Sequence, residues 1–242
     1  MSDPIRYNRL HRLSSIDLLR GVSILLMVVY HFVYDLVDFR YADASVLYNP
    51  AVEFIRILFA ALFILMSGMA CHFSRSNIKR GLQTAFFALC VTAATYLFNP
   101  NAYVVFGILH FMAFAALFYG LLGRLLQRIP LKIQAALYFA LLLITSQVGK
   151  IQTKIPYLWI FGIYTRQFTS TDYFPIFPYI FLFLLGTTLG SLAQKGKLPP
   201  FFYTLRSPFL EGIGKRTIWV YLLHQPVSVG ILYLIQFLVK SR

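Results

Sequence analysis

Seven apolar segments, each long enough to cross a lipid bilayer, dominate this chain of 242 residues. A bilayer core of about 30 Å takes roughly 20 residues of α-helix. The predicted spans are 15–38, 51–73, 79–98, 102–125, 131–149, 174–194 and 216–239. A helix satisfies its backbone hydrogen bonds within itself, whereas a lone strand in lipid does not. The pattern therefore predicts an all-α, polytopic transmembrane helical bundle that forms one integral-membrane domain over residues 1–242.

Charge supports the membrane assignment and indicates an orientation. Charged residues make up 12% of the chain, about half the usual share in soluble domains. The net charge of +14 comes from short gaps between spans, which fits topology and lipid headgroups, so we expect no nucleic-acid partner. With a cytoplasmic N-terminus, the inner segments hold most of the basic residues: Arg6, Arg9, Arg12, Arg20, Arg75, Lys79, Arg80, Arg124, Arg128, Lys132, Lys195, Lys197, Arg206, Lys215 and Arg216. That excess predicts a cytoplasmic N-terminus.

The first span carries a stripe of polar residues at helical spacing. Its members are Asp17, Arg20, Ser23, Met27, His31 and Asp35. Eleven residues make about three helical turns, so Arg20 and His31 share one face roughly 16 Å apart. Ionisable groups at membrane depth are costly, and they usually face a protein interior or a water-filled cavity. We interpret the stripe as a functional site, and the alternative is a structural polar cluster that joins helices.

Within the stripe, His31 and Asp35 have the spacing of side chains that meet on one helix. A carboxylate beside a histidine orients the ring and raises its basicity, as in many general-base sites. His31 is therefore the predicted base, with Asp35 as its orienting partner. Two more spans contribute His110 and His224, and Pro226 lies close to the latter. For each of these two histidines singly, helix packing or a cavity wall is the alternative to a catalytic role. The histidines have no metal-ligand spacing, so we expect no metal.

Two further groups of residues are candidates for substrate contact. Asp172 and Tyr173 precede the sixth span on the predicted outer side, where Asp172 either caps that helix or contacts a substrate. Basic residues beside the inner ends of the spans are suited to an anionic nucleotide, although topology alone would also place them there. They are Arg20, Arg75, Lys79, Arg80, Lys215 and Arg216. No Walker motif or dinucleotide glycine fingerprint occurs in the sequence.

Several of these segments resemble a known group of membrane enzymes. Residues 15–31, SIDLLRGVSILLMVVYH, resemble the first helix of the transmembrane acyltransferase superfamily, and the Arg20–His31 spacing is similar to that of its bacterial membrane O-acyltransferase branch. Other segments resemble bacterial relatives of the heparan-α-glucosaminide N-acetyltransferase catalytic family: 63–68 (FILMSG), 106–110 (FGILH) and 172–178 (DYFPIFP). The segment 221–226 (YLLHQP) is similar in style to both branches.

The resemblance implies an acyltransferase, most simply an acetyltransferase, that takes its acyl group from cytosolic acetyl-CoA. The expected acceptor is a saccharide or glycolipid on the outer side of the membrane, reacting through a hydroxyl or an amine. In this scheme Arg20 holds the donor, His31 is the base, and His110 or His224 assists at the carbonyl or leaving thiolate. A bacterial inner membrane is the implied location. Direct transfer and an acyl-histidine intermediate are both left open, as is a homodimer.

Two other classes of protein compete with this interpretation. Intramembrane Arg, His and Asp also form pathways in small proton-coupled transporters. Such a transporter would be expected to show an internal repeat with broken helices, and none stands out in the sequence. A non-catalytic membrane scaffold is the third candidate, and it would leave the polar stripe without a purpose.

Overall fold

The computed structural model describes residues 13–101 and 103–240, and within them it contains helices and no strands. The α-helices are α1 (Ser14–Asp38), α2 (Pro50–His72), α3 (Asn77–Phe98), α4 (Ile108–Leu126), α5 (Leu131–Thr145), α6 (Ile176–Gln194), α7 (Pro200–Thr204), α8 (Pro208–Lys215) and α9 (Thr217–Lys240). Among the described residues, seven helical segments are long and apolar enough to cross a membrane. The predicted all-α fold with seven spans is confirmed, while the orientation stays a prediction. Arg6, Arg9 and Arg12, which contribute to that prediction, lie outside the described residues.

The fourth span begins six residues later than predicted. Helix α4 starts at Ile108, and Gly107 before it has extended backbone angles. Thr92 and Thr95 of α3 hold the preceding non-helical stretch, because Thr92 Oγ1 donates to the Val104 carbonyl at 2.7 Å and the Val104 N–H donates to Thr95 Oγ1 at 3.1 Å. Hydropathy could not reveal this arrangement, since residues 103–106 are as apolar as the helix that follows.

The described residues divide into two compact units, and each is treated by itself. The first, called the α1–α9 unit, comprises residues 13–63 and 199–240. The second, called the α3–α6 unit, comprises residues 64–101 and 103–198. The single domain over residues 1–242 stays a prediction.

In the α1–α9 unit, glycines let α1 and α8 approach backbone to backbone. A Cβ atom on Gly21 would collide with the Leu210 carbonyl, and one on Gly214 would collide with the Asp17 carbonyl. Helix α9 also packs on α1, and the contacting pairs advance together from Arg20–Thr217 to Phe39–Tyr233. The two helices therefore run parallel, as expected for a first and a seventh span.

In the α3–α6 unit, the small residues of α2 and α6 serve the same purpose. A Cβ atom on Gly68 would meet the Phe183 carbonyl, and one on Gly186 would meet the Leu65 carbonyl. Small residues at such positions allow the close backbone contact that drives helix association in lipid. Phe111 and Phe183 are fully buried in this unit.

Candidate functional site

The polar stripe of α1 faces protein within the α1–α9 unit. Asp17, Ser23 and Asp35 are 1%, 2% and 4% exposed, respectively. Arg20 and His31, which lie between them on the stripe, are partly buried. Arg20, His31 and Asp35 each contact a side chain of α9, which is the arrangement expected of intramembrane polar residues.

Arg20 anchors one end of this stripe. Its Nη2 donates to Thr217 Oγ1 at 2.6 Å, and its Nη1 lies 3.9 Å from Asp17 Oδ1. The guanidinium also lies over the Phe63 ring, 5.8 Å from its centroid. These contacts tie α1 to the first turn of α9 and hold the guanidinium in one orientation. Its predicted role as the donor's handle stays a prediction.

His31 meets His224 at the other end of the stripe. His224 Nε2 is 3.4 Å from His31 Nδ1, and the two rings meet edge to face with centroids 5.1 Å apart. His224 Nδ1 lies 2.6 Å from the Tyr221 carbonyl oxygen. Since a carbonyl only accepts, His224 carries its proton on Nδ1.

That assignment determines the protons on His31. When both rings are neutral, His224 Nε2 has no proton, so the bond between the rings must be donated by His31 Nδ1. The remaining ring nitrogen of His31, Nε2, then carries a lone pair. The pair of histidines therefore presents one unprotonated nitrogen, and this is what a general base requires.

Asp35 contacts the site through a glutamine. Gln225 Nε2 donates to Asp35 Oδ1 at 2.6 Å, which fixes the orientation of the amide. The Gln225 side chain lies beside His31, and its Oε1 is buried without a hydrogen-bond partner among the described residues. The predicted direct pairing of His31 with Asp35 is thus replaced by a relay in which Gln225 lies between them.

Sequence reasoning missed Gln225, Thr217 and Tyr221 as contributors to the site. All three lie on α9, where Thr217, Tyr221 and Ser228 are buried. Polar residues recur there every three or four positions, the spacing of one helix face. A search for a second polar stripe on the last span would have found them.

His110, by contrast, has both ring nitrogens engaged within the α3–α6 unit. Thr92 Oγ1 already donates to the Val104 carbonyl, so at 3.1 Å from His110 Nε2 it must accept that nitrogen's proton. The Gly107 N–H donates to His110 Nδ1 at 3.3 Å. His110 therefore secures the start of α4, and neither nitrogen is left for proton transfer.

Asp172 is a helix cap, but of a different helix from the one predicted. Its Oδ2 accepts from the Ile108 N–H at 2.9 Å, so it caps α4 and not α6. Sequence proximity favoured α6, whereas the fold brings Asp172 to a helix 64 positions earlier. Tyr173 donates its hydroxyl proton to the Trp159 carbonyl, and burial raises the pKa of that hydroxyl above its ordinary value. Both side chains hold the connection before α6 in place, and their contact with a substrate stays a prediction.

The basic residues predicted to hold the donor fall in both units. Arg75, Lys79 and Arg80 belong to the α3–α6 unit, and Lys215 and Arg216 belong to the α1–α9 unit. All except Arg80 are exposed. Lys215 lies 3.7 Å from Glu211, which leaves its ammonium partly neutralised. Their role toward the donor stays a prediction.

No group of three or more His, Cys, Asp or Glu side chains that could hold a metal ion occurs in residues 13–101 and 103–240. His31 and His224 are brought together, but their neighbours are an amide and a backbone carbonyl. This set of groups is suited to moving a proton.

Comparison with known proteins gives one family. The family model described as heparan-alpha-glucosaminide N-acetyltransferase, catalytic, matches residues 12–226. No curated protein and no solved structure gives a significant match. The matched region contains the whole polar stripe of α1 and extends through His224 and Gln225 on α9.

Proposed function

Because the chain belongs to the heparan-alpha-glucosaminide N-acetyltransferase catalytic family, whose function is of the membrane acetyltransferase type, we propose that it transfers an acetyl group from acetyl-CoA to a sugar. The acceptor reacts through a hydroxyl or an amine on the outer side of the membrane. The observation that carries the proposal is the histidine pair, because it leaves His31 Nε2 unprotonated inside an apolar helix pair.

In the direct reaction, His31 Nε2 removes the proton from the acceptor hydroxyl or amine as its oxygen or nitrogen bonds to the thioester carbonyl carbon. The carbonyl re-forms as the bond from carbon to sulfur breaks. The thiolate of CoA then takes the proton back from His31. Atoms and charge balance, and His31 ends in its starting state.

His224 and Gln225 stabilise the cation that forms on His31 during this reaction. The unprotonated Nε2 of His224 accepts from His31 Nδ1, and the otherwise unused Gln225 Oε1 accepts from a protonated His31. Both acceptors are already in position, so little reorganisation is needed as the charge develops. A two-step reaction, in which His31 Nε2 itself takes the acetyl group and passes it on, uses the same nitrogen as nucleophile.

Arg20 and the inner basic residues complete the proposal. With the N-terminus in the cytoplasm, Arg20 lies near the inner surface and His31 lies in the outer half of the membrane. Their separation of roughly 16 Å along the helix axis suits a donor that enters from the cytosol and extends its acyl group toward an outside acceptor. The CoA phosphates would contact the basic residues near the inner ends of the helices.

The test measures transfer of labelled acetyl from acetyl-CoA to amino sugars and neutral sugars by purified protein. We expect His31→Ala to lower the rate by about 10³-fold, the scale of lost general-base catalysis, with the protein still folded. Val29→Ala is the matched control, because Val29 is two residues away on α1 and 57% exposed. Transfer by His31→Ala at the rate of Val29→Ala would refute the proposed role of His31.

A binding measurement separates this function from the transporter and scaffold. A ligand that binds the native fold raises its unfolding temperature by mass action. Saturating acetyl-CoA should therefore stabilise both wild-type protein and His31→Ala. If neither is stabilised, acetyl-CoA is not the donor.

A further inference from the structure

The α3–α6 unit contains a cavity of about 300 Å³ that has no part in the histidine pair. It lies at the end of α2, the ends of α4 and α6, and the start of α5. These four helix ends belong to helical segments that are long and apolar enough to cross a membrane. A cavity of this size is at the lower limit of those that bind small molecules.

A network of hydrogen bonds forms one wall of the cavity. His72 Nε2 lies 3.0 Å from Gln194 Oε1 and therefore donates to it. His72 Nδ1 then accepts from the Tyr119 hydroxyl at 3.4 Å, and Gln127 Nε2 donates to that hydroxyl at 2.8 Å. With these bonds made, the wall still has the amide protons of Gln194 and one amide proton of Gln127 to donate.

Gln134 occupies two of the carbonyls near the cavity. Gln134 Nε2 donates to the carbonyls of Leu126 and Ile129 at 3.0 and 2.8 Å. Thr188 donates to Gln134 Oε1 at 3.1 Å. This glutamine thereby occupies carbonyls at the end of α4 that would otherwise repel an anion. The unused amide protons of Gln127 and Gln194 remain on the wall.

The charged groups of the lining have one sign. Arg128 and Lys195 both line the cavity and are exposed, and the lining includes no carboxylate. Neither cation forms an ion pair with another described residue. Two cations beside a donor-rich wall attract an anion that accepts several hydrogen bonds.

We propose that this cavity binds the phosphate group of a phosphate ester, with Arg128 and Lys195 paired to the phosphate. The amides of Gln127 and Gln194 donate to the remaining oxygens. The volume exceeds that of a bare phosphate and leaves room for the first atoms of the esterified group. Two sources share this chemistry at a membrane boundary, namely a soluble nucleotide and the headgroup of an anionic phospholipid.

The test measures binding to protein purified in a sugar-based detergent that contains no phosphate. The probes are adenosine 3′,5′-bisphosphate and a short-chain phosphatidic acid, each titrated by isothermal calorimetry. The variants are Arg128→Gln, Lys195→Gln and the double variant R128Q/K195Q. The matched control is R124Q/K197Q, which removes the same charge from exposed neighbours that do not line the cavity. All four side chains are exposed, so these variants should retain the fold, and circular dichroism checks it.

We expect each single variant to weaken the binding of one probe by about tenfold, the scale of a lost charge-assisted hydrogen bond. The double variant should weaken the binding of that probe further. Weakened nucleotide binding assigns the cavity to a soluble ester, and weakened phosphatidic acid binding assigns it to a lipid headgroup. If R128Q/K195Q binds both probes as the control does, or if neither probe binds wild-type protein, the proposal is overturned. The measurement reads binding alone, so its outcome is independent of acetyl transfer.

Discussion

His31 and His110 are both histidines within apolar segments, and their hydrogen-bond partners give them different capacities. His110 donates to a threonine and accepts from a backbone amide, so its ring is fully occupied. His31 bonds another ring through Nδ1, and Nε2 keeps a lone pair in the neutral pair. The polar stripe on α1 predicts His31 as the stronger candidate. The bond from Thr92 to Val104, which decides the protonation of His110, has no signature in the sequence.

The relay from Asp35 through Gln225 gives a prediction about stability. Gln225→Leu removes the donor to a carboxylate that is 4% exposed, and we expect it to cost about 2 kcal/mol because a buried acceptor loses its partner. Asp35→Leu should also destabilise the protein. In the double variant D35L/Q225L neither partner is left unsatisfied. Its loss of unfolding free energy should therefore be smaller than the sum of the losses of the two single variants.

The measurement is a double-mutant cycle of thermal unfolding in detergent. We expect a coupling of about 1–2 kcal/mol between the two positions. Additive losses would show that the two side chains do not interact. Because Gln225 also lies beside His31, the Gln225→Leu variant should lower transfer, whereas a loss of stability alone would leave the rate per folded molecule unchanged.

At the level of helices, glycine contacts determine which helices can approach each other closely. Gly186 of α6 faces the Leu65 carbonyl of α2, where a Cβ atom has no room. The glycines at 186 and 190 predict close packing of their helix, but a sequence pattern does not identify the partner. The structure supplies it, since Gly68 of α2 faces Phe183 of the same α6.

The helix contact predicts a large effect of one added methyl group. Gly186→Ala should destabilise the protein by about 1–3 kcal/mol, because overpacking forces the backbones apart. Gly230→Ala on α9 is the control, since a Cβ atom there has nothing within 4 Å, and its effect should be within about 1 kcal/mol. Equal unfolding temperatures for the two variants would contradict the close packing of α2 on α6.

For the whole molecule, orientation in the membrane is the property on which the proposed transfer depends. A cytoplasmic N-terminus places the loop with Ser76 inside and the connection with Thr153 outside. Single cysteines at these two exposed or partly exposed positions, in a background lacking Cys71 and Cys90, make the prediction testable. A membrane-impermeant thiol reagent should label Thr153→Cys in intact cells, and Ser76→Cys only after permeabilisation.

The opposite labelling pattern would show that the N-terminus lies on the outer side. Arg20 would then lie at the outer surface, and a donor from the cytosol would approach His31 from the other side. Since charge bias sets topology through the insertion of the chain, added lysines near Thr153 should weaken the preference. A mixed orientation would appear as labelling of both Ser76→Cys and Thr153→Cys, in intact cells as well as after permeabilisation.

Hydropathy and helical period are properties of short stretches, and they were sufficient to predict seven helices and the polar face of α1. The family was predicted from the resemblance of short motifs. The longest error, at the start of α4, occurred where threonine side chains of another helix hold an apolar stretch out of the helix. Three features depend on contacts between residues 64 or more positions apart: the pairing of His31 with His224, the position of Gln225 and the capping of α4 by Asp172. Such contacts decide which ring nitrogen bears a proton, because protonation follows from the partner atoms, and partners distant along the chain are brought together only by packing.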